Sequence, residues 1–109
     1  HLKMRELAYF LKALDGPDAL DANGKTILDN SLITISTESG DGRHNDVQRE
    51  LSGVFHAISG SKGRFRTGEI LDVNAEGIDV YNTMTAAVGA RYRMGPDERE
   101  SKVVDSILA

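Results

Sequence analysis

The chain of 109 residues contains no cysteine. A disulfide framework, a thiolate metal centre and a cysteine nucleophile are therefore excluded, and the residues do not report a redox compartment. Basic side chains are also short, 13 against 17 acidic, for a formal net charge of -4. That balance gives no positive face broad enough to follow a phosphate backbone, so nucleic acid is not an expected partner. No apolar run approaches the roughly 20 residues that span a bilayer, and no signal-peptide pattern opens the chain. Ser36, Ser59 and Ser61 lack a surrounding Gly-x-Ser-x-Gly, which argues against a serine-hydrolase elbow. The stretch SGSKGRFRTG at 59–68 sets Lys62, Arg64 and Arg66 on glycine-rich backbone but lacks the Gly-Lys-Ser/Thr ending of a phosphate loop. Alternate basic residues there read as protection of an edge strand.

What remains is enough for about one domain, which at this size buries roughly 65% of its unfolded surface. The opening HLKMREL enters a helical pattern directly from His1, so the chain is expected to begin inside something longer. Leu7, Phe10, Leu11 and Leu14 recur at helical spacing and predict an amphipathic helix over 1–15, closed by Asp15-Gly16-Pro17, with Gly16 as a left-handed cap. Asp21, Asn23 and Gly24 resemble part of a calcium loop. Ala19 and Asn30 fall where its first and last carboxylates belong, however, and a plain Asn-Gly turn is expected.

SLITIS at 31–36 and GVFHAIS at 53–59 read as short strands covered on both faces, as in a largely parallel sheet. GRFRTGEILDV at 63–73 reads as extended segments broken at Thr67-Gly68. A second helix is predicted over 79–94, with Val80, Met84, Ala87 and Val88 on one face and Gly95-Pro96 as its stop. Residues 95–109 end in Val103, Val104, Ile107 and Leu108 and suit a docking tail. The order is that of an α/β protein, in which chemistry collects beyond the carboxyl ends of strands.

The polar stretch TESGDGRHNDVQRE at 37–50 follows such a strand end. Glu38, Asp41 and His44 offer carboxylate oxygens and an imidazole, a donor set for a divalent cation (zinc, calcium, magnesium or manganese), and Gly40 and Gly42 allow tight folding around one ion. The competing reading is a solvated turn whose Asp and Asn side chains bond their own backbone. His56, between Phe55 and Ala57, reads as a core or rim histidine and not as a ligand.

The succession YFLKALDG, ILDNSLITISTESGDGRHND and GVFHAISGSKGRFRTGEIL resembles the C-terminal part of secreted bacterial proteins known as domain of unknown function family fifteen fifty-two, with its relative fifteen oh one. Both families resemble the alkaline phosphatase and sulfatase superfamily. The likeness runs from about His1 to Met94 and matches Glu38, Asp41 and His44 to the family's polar positions. NDVQRELSG stands where the family has a second histidine and a Leu-Pro. The resemblance implies several expectations. The chain would be a single C-terminal segment, residues 1–109, of a three-layer α/β fold with few, mostly parallel strands, incomplete alone and completed by an upstream segment or a companion polypeptide. It would be periplasmic or secreted. Glu38, Asp41 and His44 would be the metal ligands of a phosphatase- or sulfatase-like hydrolase, and the alternative is a non-catalytic structural or binding subunit that keeps a degenerate hydrolase fold.

Overall fold

The computed structural model describes residues 2–37 and 54–109. The apolar stripe of the first segment forms α1, Leu2–Leu14, which ends where Pro17 opens a 3-10 turn. Gly16 has φ -76, so it is not the left-handed cap expected of it; the proline, which cannot continue a helix, makes the stop. Leu7, Leu11 and Leu14 are half-buried, whereas Phe10 is 51% and Tyr9 75% exposed. A turn follows in which the Asp21 carboxylate accepts the backbone N–H of Asn23 and of Lys25, and Gly24 takes φ 73. These bonds hold the Asp21 carboxyl below the usual carboxylate range. The next element is α2, Ile27–Asn30, which carries a capping box: the Thr26 hydroxyl accepts from the Asp29 N–H and the Asp29 carboxylate accepts from the Thr26 N–H. The same Thr26 hydroxyl donates to Asp15 at 3.1 Å and ties the end of α1 to the start of α2.

β1, Leu32–Ser36, and β2, His56–Gly60, pair antiparallel, with Leu32 opposite Gly60 and Ser36 opposite His56. This corrects the expectation of parallel strands. Leu32 and Ile58 pack against the core on one side, and α2 lies against β2. The segment expected to continue the sheet, 63–73, contributes one isolated bridge, Phe65 with Leu108. It is flanked by Arg66 N–H on the Ile107 carbonyl and Ala109 N–H on the Arg64 carbonyl. Arg64 donates to the Ala87 carbonyl, and Arg66 pairs with Glu69 and reaches the Ser106 carbonyl. Arg66 thus fastens the tail and Arg64 the end of α3, in place of the edge-protecting role assigned to them on sequence.

α3, Gly77–Ala87, stops seven residues before the predicted Met94. Gly89 adopts φ 83, its N–H bonds the Ala86 carbonyl and the Ala90 N–H bonds the Thr85 carbonyl. That is a Schellman closure, and it turns the chain away from the helix axis. Among the described residues the buried apolar core is Phe65, Val80, Met84, Val104 and Ile107. Asp79, Asn82 and Thr83 are buried beside it and bind the returning tail. Asp79 accepts from both Arg99 guanidinium nitrogens at 2.9 Å and from the Lys102 N–H at 3.1 Å. Asn82 exchanges two hydrogen bonds with the Met94 backbone, and Thr83 accepts from the Val104 N–H at 3.0 Å.

The Arg99 guanidinium on Asp79 lowers that carboxyl from 3.8 to about 2. Its contribution to stability is whole above 3.8 and is lost as pH falls from there through about 2. Asp79→Asn is therefore less stable than the parent at neutral pH, and the gap between the two, followed by thermal unfolding, closes across that acid window. A second prediction concerns the turn after β2, where Ser61, Lys62 and Gly63 all have positive φ, 66, 56 and 73. A left-handed conformation costs a side-chain-bearing residue roughly 1–2 kcal/mol, part of which glycine returns as chain entropy. Lys62 is exposed, so Lys62→Gly raises the urea-unfolding free energy by about 0.5–1 kcal/mol.

Candidate functional site

The three residues that sequence reasoning assigned to a cation, Glu38, Asp41 and His44, lie outside the described residues. The structure does describe the root from which their segment departs and to which it returns. The Thr37 N–H donates to the Phe55 carbonyl at 3.3 Å, and the Phe55 N–H faces the Thr37 hydroxyl at 3.4 Å. The two ends of the 38–53 connection are thus held side by side by the last rung of the β1–β2 ladder. Antiparallel pairing produces this directly, because it returns the chain to the level at which it left.

Next to that root stand Ser36 from β1, His56 from β2 and Tyr81 from α3. Ser36 and His56 are opposite one another in the ladder and so share a face of the sheet. The Ser36 hydroxyl and the Tyr81 hydroxyl are 2.7 Å apart. The His56 ring meets the Tyr81 ring edge-on, 5.0 Å between centroids at 81°, a favourable aromatic geometry. Among the described residues neither ring nitrogen of His56 has a hydrogen-bond partner, and both are occluded from water. Burial therefore pushes the imidazole below its usual pKa and keeps it neutral. His56 thus lines the cavity wall with its ring against Tyr81.

The cluster borders a cavity of about 1360 Å³ that runs from Thr37 and Phe55 past His56 and Ile58 to the 66–78 segment. Tyr81, Met94 and Ile107 also line it. Among the described residues no three His, Asp or Glu side chains converge as a cation would require. No helix of the described residues is long and apolar enough to cross a membrane. Sequence reasoning missed the Ser36–Tyr81 contact, which joins residues 45 positions apart and leaves no local pattern. Lys62, Arg64 and Arg66, considered as an anion cradle, do not form one, since the guanidinium groups of Arg64 and Arg66 are engaged with carbonyls and Glu69.

Comparison with protein-family models, with curated proteins and with solved structures finds no match.

Because the neutral imidazole is the form the fold holds, His56 favours stability above its ordinary 6.5 and costs stability as pH falls below it. His56→Phe keeps the ring against Tyr81 and removes the titration. The parent loses melting temperature relative to the variant as pH is lowered through 6.5. An unchanged difference across that range means His56 is not desolvated in the folded protein.

Proposed function

We propose that this chain is the C-terminal segment or a subunit of a metal-dependent phosphatase- or sulfatase-like ester hydrolase of periplasmic or secreted location, completed by residues outside it. One observation carries the reading. Thr37 and Phe55, paired at the end of the ladder, both line the cavity, and Glu38 is the next residue in sequence after Thr37. The donor chemistry of Glu38, Asp41 and His44 suits a divalent cation, which would polarise an ester oxygen or lower the pKa of a bound water. The nucleophile and the remaining ligands would come from the completing polypeptide: among the described residues Ser36, although opposite His56 in the ladder, spends its hydroxyl on Tyr81 and makes no hydrogen bond to the imidazole. The resemblance of the YFLKALDG and ILDNSLITISTESGDGRHND segments supports the same α/β assignment.

A second reading, a non-catalytic structural or binding subunit with a degenerate hydrolase fold, is favoured by how little the described residues bury. Five apolar side chains form the core while Leu2, Met4, Tyr9 and Phe10 of α1 stay exposed. Each large apolar side chain left in water forgoes about 1.5–3 kcal/mol, and a helix of 13 residues is marginal without packing. Both readings require a companion surface.

Metal analysis separates them. The purified chain, extracted with its natural companion, is expected to carry a divalent cation that the Glu38→Ala/His44→Ala double variant loses, with esterase activity lost in parallel. Parent protein free of stoichiometric cation defeats the hydrolase reading and leaves the structural one.

A further inference from the structure

We propose that Asn23 is a site of spontaneous covalent modification: its side chain condenses with the Gly24 nitrogen to a succinimide, which water opens to aspartate or isoaspartate, and the Asp21 turn sets the rate. The inference is independent of the hydrolase reading and needs no companion polypeptide.

Asparagine is among the chemically labile residues of a protein. Its side-chain carbonyl carbon is open to attack by the backbone nitrogen of the next residue, and a side chain on that next residue crowds the approach. Asn23 is the one asparagine in the sequence that precedes glycine. It is exposed, and a Cβ added at Gly24 would meet nothing within 4 Å, so water and base reach the bond. The other described asparagines are poorer candidates. Asn30 donates its amide to Asp21 at 2.9 Å and to the Thr26 carbonyl at 3.0 Å, and Asn82 donates to the Met94 carbonyl at 3.0 Å. Asn74 is exposed but precedes Ala75.

The reaction balances without a redox partner. Base removes the Gly24 amide proton, the nitrogen bonds Asn23 Cγ, the Cγ–Nδ2 bond breaks, and ammonia leaves with a proton from water. Water adding at Cγ reopens the ring to aspartate. Water adding at the Asn23 backbone carbonyl carbon instead routes the main chain through the side chain, as isoaspartate.

In the folded turn the attacking nitrogen is engaged. The Gly24 N–H donates to the Asp21 carbonyl at 3.0 Å, and the Asp21 carboxylate accepts the Asn23 and Lys25 N–H groups at 2.8 and 2.9 Å. Ring closure therefore waits on local opening, and Asp21 governs how often the turn opens. The product weakens its own guard. It sets a second carboxylate beside Asp21, and as isoaspartate it adds a main-chain carbon inside the loop that the Asp21 N–H closes on the Lys25 carbonyl at 2.8 Å. Asp21 also holds Asn30 of α2, and Thr26 ties α2 to Asp15 after α1, so the modification loosens the junction between the two helices.

The test incubates the full chain at mildly alkaline pH, folded and in urea, and maps its peptides by mass. An amide-to-acid gain is expected at Asn23 ahead of every other described asparagine, with isoaspartate in that peptide by enzymatic methyl transfer. The folded rate is expected to be about fivefold or more below the urea rate, the effect of one hydrogen bond that must open first. Asp21→Ala without urea closes most of that gap, Asn23→Gln abolishes the gain at this position, and aged parent protein melts below fresh. No gain at Asn23, earlier conversion at another described asparagine, or equal rates with and without urea overturns the proposal. So does a folded Asp21→Ala variant that converts no faster than the parent. If that variant does not fold, the urea comparison on the parent decides.

Discussion

The capture of the C-terminal tail by one face of α3 holds up everything else that the described residues bury. Asp79, Asn82 and Thr83 stand at i, i+3 and i+4, so they share one side of the helix, and each takes backbone or guanidinium groups from residues 94–104. The Asp79 carboxylate is buried, and a lone charge there would be costly. Arg99 meets it with two parallel donors, the bidentate geometry that best offsets that cost. With the tail held at Asp79 and Thr83, Val104 and Ile107 come down on Phe65 and Met84, and the Phe65–Leu108 bridge can close. The contribution of the pair is therefore architectural: without it the tail's apolar residues have no reason to prefer this surface over solvent.

That same economy explains the thinness of the rest. α3 uses its polar side on the tail and turns Tyr81 toward the sheet, where it contacts Ser36 and His56. The sheet it meets has only two strands among the described residues, and an isolated pair of strands is marginal unless a helix or more strands cover it. α1 adds little cover, since it touches the body mainly through α2.

Much of this was legible where a short-range period exists. The stripe Leu7, Leu11, Leu14 gave α1, the β-branched runs gave β1 and β2, and Val104 with Ile107 marked the tail that docks. Features that depend on one residue's conformation or on distant pairs were not. Gly89 ends α3 through a left-handed φ, while the apolar Val88 before it and the run toward Met94 mimic a continuing helix. Asp79 and Arg99, 20 residues apart, and Ser36 and Tyr81 are joined by tertiary placement alone. Strand direction was misread because apolar residues on both faces of β1 report cover, and cover is silent about the direction of the neighbour. Of the candidate site, the root at Thr37 and Phe55 and the role of His56 are described; Glu38, Asp41 and His44 are known by their order in the chain.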